Sequence, residues 1–292
     1  MEYEGSFGSG DIVINKRNYI NLLFIRMKTM WKLKNCLGLL ILVIVTFSAN
    51  CQIIDNNYNI NSIKRIKLMG DVNVVCVIDT ISQNSIVYPD TVNDWKNILF
   101  LTVKNETLTI QTVDRYGMKT DLNSPNPKWL IIKVASDLNE IENGYSSTLK
   151  VKGEVVTPSL KVKLSGNGSI VIEQITSPQA SLSILTGKGI INIENIFSDI
   201  LSCDILGTGT ITVDKGICKD LKCKTLGTGK MNITGLQSKT ATIKYAGGGY
   251  IKCHAVETIT ASGLGTTKIC YLGNPNITQK GNVKLHRINE NR

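Results

Sequence analysis

Apolar and polar residues alternate along most of the chain after residue 60, and this alternation sets the first structural expectation. Segments such as VNVVCVI, KWLIIKVA and LKVKLS place apolar side chains at about every second position, which is typical of β-strands with one buried face. Apolar spacings of three and four residues, which indicate amphipathic helices, are nearly absent there. The pattern therefore predicts an all-β protein.

A Gly-x-Gly motif recurs six times in the second half of the chain, at steps of 21, 20, 20, 20 and 16 residues. A fixed period near twenty is the signature of a stacked repeat protein. The glycines are Gly166, Gly168, Gly187, Gly189, Gly207, Gly209, Gly227, Gly229, Gly247, Gly249, Gly263 and Gly265.

Three columns of residues keep a constant distance from these glycines. Two residues after each second glycine come Ile170, Ile191, Ile211, Met231, Ile251 and Thr267. Two further on come Ile172, Ile193, Val213, Ile233, Cys253 and Ile269. Four residues before each first glycine come Val162, Ser183, Cys203, Cys223, Ile243 and Ile259. Ser183 breaks its column, which indicates a local shift in the 21-residue coil. Each coil is thus predicted to carry at least two strands facing one interior.

These patterns predict a β-solenoid of about 20-residue coils stacked roughly 4.8 Å apart. Glycine tolerates positive φ and close backbone approach, so the pairs are interpreted as structural corners. A phosphate-binding loop is not favoured, because the motif recurs six times without a P-loop or strand-to-helix context. We expect solenoid repeats over residues 136–292 and a β-rich N-terminal cap over residues 52–135.

The segment CLGLLILVIVTF, residues 36–47, is too short to span a bilayer comfortably. Its basic flank and its small-residue exit are typical of a secretory signal peptide. Residues 1–51 are therefore interpreted as an upstream extension and signal, with Met27 or Met30 as the start and cleavage before Gln52. A lipidated Cys51 is the alternative. Export to the periplasm, the outer membrane surface or the exterior is predicted.

Charge and cysteine content refine this expectation. Residues 1–51 hold six of the 33 Lys and Arg and three of the 23 acids, so the mature part keeps 27 against 20, a net charge of +7. Such an excess favours anionic glycans or a membrane surface, while the absence of a basic block argues against nucleic acid. Cys203 and Cys223 lie one repeat apart and are interpreted as a buried thiol ladder, with a disulfide as the alternative. The mature cysteines are Cys76, Cys203, Cys218, Cys223, Cys253 and Cys270.

One further column carries acids, five residues after each second glycine. It consists of Glu173, Glu194, Asp214, Thr234 and His254. A cation site is one interpretation, and a solvated turn is the favoured one. The column of Asp204, Lys224 and Lys244 offers no acid pair for glycoside hydrolysis, and no triad context occurs. The tripeptides at Asp79 and Asp90 are either O-glycosylation acceptors or, as favoured, plain turns.

The order of features resembles the auto-transporter adhesin, head GIN domain family of Bacteroidota, over about residues 62–290. It runs from IKRIKLMGDVNVVCV through LTVKNETLTI and WLIIKVASDLNEIENGYSSTLKV to the glycine corners and a closing Tyr271, Gly273 and Pro275. The resemblance implies a right-handed, single-stranded parallel β-helix, exported to the cell envelope. The family defines no catalytic, metal or cofactor residues, so none is assigned.

The sequence therefore predicts an exported envelope protein without enzymatic activity or cofactor. An adhesin-like or structural role is expected, with a glycan or a surface protein as partner and no transmembrane span in the mature chain. The alternative is a carbohydrate-active enzyme, a lyase or hydrolase, on the same scaffold.

Overall fold

The computed structural model describes residues 63–78, 85–87, 99–112, 129–281 and 283–288. They form an all-β solenoid of about seven turns, with parallel stacked coils of roughly 20 residues, which confirms the predicted fold class. No helix long and apolar enough to cross a membrane occurs in this part of the chain. The signal segment, Cys51, Asp79 and Asp90 lie outside the described residues.

The strands shorten toward both ends of the chain. The first nine are β1 (Arg65–Met69), β2 (Asn73–Ile78), β3 (Ser85–Val87), β4 (Leu99–Lys104), β5 (Thr107–Thr112), β6 (Trp129–Val134), β7 (Glu140–Asn143), β8 (Thr148–Val156) and β9 (Ser159–Ser165). The others are β10 (Ser169–Thr176), β11 (Gln179–Thr186), β12 (Ile190–Gly207), β13 (Thr210–Gly227), β14 (Lys230–Gly247), β15 (Tyr250–Gly265), β16 (Lys268–Leu272), β17 (Asn276–Lys280) and β18 (Leu285–Arg287).

Two parallel ladders organise these strands. The first ladder runs β6, β2, β8, β10, β12, β13, β14, β15, β16, β18. The second runs β5, β1, β7, β9, β11, β12, β13, β14, β15, β17. Strands β12 to β15 belong to both ladders, so each of them follows a bend and contributes two sides of a coil.

The beginning of the described chain is stacked out of chain order. Strand β1 lies between β5 and β7, and strand β2 lies between β6 and β8. The later strands β5 and β6 therefore form the outermost coil, and the antiparallel strands β4 and β3 pair with them. Residues assigned to an N-terminal cap thus continue the solenoid ladders, while the boundary at residue 135 stays a prediction.

The interior is filled by the predicted apolar columns, which stack in register. Ile170, Ile191 and Ile211 are completely buried, and each pairs with the next. Burying an isoleucine contributes about 1.5–3 kcal/mol, so a coil gains stability only when its neighbours cover it. Leu182, and not Ser183, pairs with Cys203, which confirms the predicted shift in the 21-residue coil.

The corner of the last coil lies two residues later than predicted, so the predicted alignment of this coil was wrong. Gly265 pairs with Gly247, whereas Gly263 lies opposite Tyr245. Ile269, and not Thr267, therefore continues the column of Ile251. The physical reason is a shortened bend after Cys253, where the β14–β15 register shifts between Ile233 and Gln237.

A second set of corners has no glycine signal, and sequence reasoning missed it. The hydroxyl of Ser177 donates to the carbonyl of Gln179 at 2.8 Å, and that of Ser198 donates to the carbonyl of Ile200 at 2.9 Å. These bonds satisfy the buried hydroxyl of Ser177 and the half-buried one of Ser198, and they fix the turn into the second ladder. The signal in the sequence is a hydroxyl residue recurring at this step.

Candidate binding surfaces

The predicted glycine corners adjoin one another on successive coils. The first glycines Gly187, Gly207, Gly227 and Gly247 have positive φ of 83°, 133°, 125° and 134°. Carbonyls of the coil below approach three of them closely: a Cβ on Gly227 would lie 2.6 Å from the oxygen of Gly207, whereas one on Gly207 would lie 3.6 Å from the oxygen of Gly187. The same crowding surrounds the second glycines, where a Cβ on Gly249 would lie 2.4 Å from the oxygen of Gly229. Backbone N–H groups at these corners donate to carbonyls of the preceding coil, as Thr228 does to Gly207 and Lys230 to Gly209, which supports the interpretation as structural corners.

The acidic column lines a surface depression together with neighbouring polar residues. Glu173 accepts a hydrogen bond from the backbone N–H of Gly153 at 2.7 Å. Asp214 accepts a long one, 3.5 Å, from the amide of Asn192. The depression is lined by Gly153, Glu154, Glu173, Gln174, Glu194, Asn195, Asp214 and Lys215.

Two observations bear on the ligand chemistry of this depression. Hydrogen bonds from Thr176 and then Gln174 lower the pKa of Glu154, which keeps this carboxylate ionised. Within the described residues, no group of three or more His, Cys, Asp or Glu has an arrangement that could hold a metal ion. His254 pairs with Gln237 and so leaves the acidic column. The depression is a solvated acidic surface.

The six cysteines of the described residues are free and buried. Cys203 pairs in register with Cys223, as the repeat predicts. Burial raises the pKa of the Cys218 and Cys253 thiols to about 12 each, so they stay protonated at neutral pH. Since the thiolate is the nucleophile, these residues belong to the core and perform no surface chemistry.

The outward side of the second ladder is mostly basic and hydroxyl-bearing, and we name it the basic face. Its columns contain Lys161, Ser181, Ser202, Lys222, Thr242, Thr260 and Thr278, and beside them Lys163, Ser183, Asp204, Lys224, Lys244, Ser262 and Lys280.

Carboxylates engage only part of the basic face. Lys163 pairs with Glu140 at 2.6 Å, and Lys224 lies opposite Asp204. Burial raises the pKa of the Asp204 carboxyl, an effect that Lys224 opposes. No ion pair is formed by Lys222 or Lys244 within the described residues. The face therefore presents available positive charge at the spacing of the coils.

Leucines stand on the outside of the glycine corners, a feature that sequence reasoning missed. Leu206, Leu226 and Leu264 are 41%, 41% and 78% exposed, and they share one column through Ala246. The sequence signal for this feature is the repeated L-G-T-G motif, because its leucine falls at an outward-facing position of the strand.

A family model described as "Putative auto-transporter adhesin, head GIN domain" matches residues 64–275. This match confirms the resemblance found in the sequence. Among curated proteins, no sequence matches the chain.

Three solved structures show the same fold. A "putative adhesin" from Parabacteroides merdae is 16% identical, with a TM-score of 0.66 over 83% of this chain and 98% of its own. A "putative lipid binding protein" from Parabacteroides distasonis is 18% identical, with a TM-score of 0.68 and the same coverage. A second P. distasonis "putative adhesin" is 18% identical, with a TM-score of 0.67 over 82% of this chain and 95% of its own.

Proposed function

Because the chain belongs to the family of "putative auto-transporter adhesin, head GIN domain" proteins, we propose that it is an exported envelope protein with an adhesin-like binding role. The observation that carries the proposal is the basic face, where Lys222 and Lys244 lack carboxylate partners among the described residues. Ser202 and Thr242 lie on either side of Lys222 on the adjacent coils, and Ser262 lies next to Lys244. Such a surface fits an anionic glycan, whose carboxylate or sulfate groups accept from lysine and whose hydroxyls exchange hydrogen bonds with serine and threonine.

A carbohydrate-active enzyme is not favoured. Neither the family model nor the three solved structures are described as enzymes. Glycoside hydrolysis also needs one carboxylic acid that stays protonated beside one that is ionised. In the acidic depression, hydrogen bonds from Thr176 and Gln174 lower the pKa of Glu154, which is the wrong direction for a general acid.

The binding proposal is tested with the full chain on an array of uronic-acid, sulfated and neutral glycans. The double variant Lys222→Gln/Lys244→Gln should bind its anionic glycan about tenfold more weakly, since each exposed ion pair contributes at most about 1 kcal/mol. The control Lys215→Gln/Lys239→Gln removes the same charge elsewhere and should bind as the wild type does. Equal binding of neutral glycans, or an equal loss in the control, contradicts the proposal. Binding to acidic proteins instead of glycans would overturn the partner assignment.

Export is tested by surface labelling of intact cells together with mass spectrometry of the mature N-terminus. We expect a labelled protein that begins at Gln52. A lipid-modified Cys51 would show a membrane-anchored form of the exported protein. Retention of residues 1–51 on an unlabelled protein contradicts export.

A further inference from the structure

An exposed apolar ridge follows the glycine corners along the solenoid. We name the corners 185–190, 206–210, 226–230, 246–250 and 264–268 the leucine ridge. Its apolar members Leu185, Leu206, Leu226, Leu264 and Ile190 are 40%, 41%, 41%, 78% and 49% exposed. Because parallel strands stack about 4.8 Å apart, the ridge extends over roughly 20 Å. Leu206 and Leu226 lie on adjacent coils, and Ala246 separates Leu226 from Leu264, so the column is apolar along its length.

The charges on the ridge have one sign. Lys188, Lys230 and Lys268 are exposed on it, and none of its five corners contains an aspartate or a glutamate. Thr208 and Thr228 each lie between the two glycines of a corner, and Thr266 lies directly after the glycine of the last corner. Lysines and hydroxyls thus flank the leucines on the side that continues into the first ladder.

A second set of exposed apolar residues has different surroundings. Phe197 and Ile217 are 42% and 57% exposed and pair with each other near the serine corners. An ion pair between Lys219 and Asp199, 2.7 Å long, lies directly beside them. That surface carries both signs of charge, whereas the leucine ridge carries only positive charge. Exposure of apolar side chains alone therefore does not distinguish the two surfaces, but charge does.

A convex strip of leucines bordered by cations has the chemistry of an interfacial membrane-binding element. Apolar side chains enter the boundary between headgroups and acyl chains, while lysines approach the lipid phosphates. A glycan as the partner would not explain why these leucines are exposed. We propose that the leucine ridge seats the protein on the surface of an anionic lipid bilayer. This inference is separate from the glycan proposal, since it concerns the corners and not the basic face.

The test measures binding of the full chain to vesicles of phosphatidylcholine, alone or mixed with phosphatidylglycerol. Wild-type protein should bind the mixed vesicles more tightly. The variant Leu206→Ser/Leu226→Ser/Leu264→Ser should reduce binding at least tenfold, because three apolar side chains no longer partition. The variant Lys188→Gln/Lys230→Gln/Lys268→Gln should lose the preference for anionic vesicles, at about fivefold for each lysine.

The matched control is Phe197→Ser/Ile217→Ser, which removes equally exposed apolar groups from the other surface. It should bind vesicles as the wild type does. The apolar residues 36–47 are a background common to all full-chain variants, and the comparison is therefore repeated with the exported protein, which we propose begins at Gln52. Wild-type binding by the leucine variant, or an equal loss in the control, overturns the proposal.

A second readout locates the ridge at the bilayer. The wild type already has three tryptophans, so brominated lipids should quench the Leu226→Trp variant more than the wild type, and the Ile217→Trp variant no more than the wild type. Equal quenching in both variants would overturn the orientation. Glycan binding that persists in the leucine variant would show that the two surfaces act independently, and loss of both would overturn their separation.

Discussion

Asn143 is fully buried, and both ends of its amide are used. Its Nδ2 donates to the carbonyl oxygens of Ser147 and Ser169, at 2.8 and 3.2 Å. Its Oδ1 accepts from the backbone N–H of Tyr145 at 3.1 Å. Since Ser169 begins β10, this side chain joins the turn before β8 to the next coil. The polarity of Asn143 is therefore structural, and at this residue scale a buried amide occupies the column position that Leu164 fills in the next coil.

Replacing Asn143 by leucine should destabilise the protein by about 2–4 kcal/mol, because the backbone N–H of Tyr145 and the carbonyls of Ser147 and Ser169 lose their partner. The measurement is the free energy of unfolding in urea. Asn232→Leu is the control, since Asn232 is an exposed asparagine on the first ladder, and it should change stability by less than about 0.5 kcal/mol. Equal losses in the two variants would contradict the structural role of the buried amide.

At the scale of the coil, close stacking depends on the absence of side chains at particular corners. Gly247 has a φ of 134°, and a Cβ there would lie 2.1 Å from the carbonyl oxygen of Gly227. Its neighbour Gly248 has no such constraint, and a Cβ would lie 3.1 Å from the Thr266 side chain. The two adjacent glycines therefore differ in what they contribute to the corner.

Gly247→Ala should destabilise the protein by about 2–4 kcal/mol, through backbone strain and separation of two coils. Gly248→Ala is the matched control and should change stability by no more than about 1 kcal/mol in either direction. Thermal or urea unfolding of the two variants provides the measurement. A corner that tolerates both substitutions equally would show that close stacking is unnecessary there.

The regular coils were predictable because each buries the same column at the same step. Ile191, Ile211 and Met231 mark strands that recur in register. The coil after Cys253 was aligned wrongly. A shortened bend there changes the number of residues in the coil, but it leaves the alternation of apolar and polar positions unchanged. The placement of β1 between β5 and β7 was also unpredictable, because long-range pairing has no periodic signal. Likewise, the leucine ridge could be recognised only once the structure showed that the Leu226 side chain faces outward.

At the scale of the whole molecule, buried thiols distributed along the solenoid make its stability sensitive to alkaline pH. Burial raises the pKa of Cys218 and Cys253 to about 12 each, and also raises the pKa of Cys76, Cys203 and Cys223. The unfolded chain releases these protons near the ordinary thiol pKa of about 8.5. The folded state is thus favoured fully below that pH, and its advantage is lost as the pH rises toward the folded pKa values.

Each such thiol lowers the free energy of unfolding by about 1.4 kcal/mol per pH unit between the two pKa values. The variant Cys218→Val/Cys253→Val removes two of them and should make the decline between about pH 9 and pH 11 shallower by about 2.8 kcal/mol per unit. Urea unfolding under reducing conditions at several pH values measures the slope. At pH 7 the near-isosteric valines should change stability by less than about 1.5 kcal/mol per site, which serves as the internal control. An unchanged slope would mean that these thiols reach solvent and ionise within the folded solenoid.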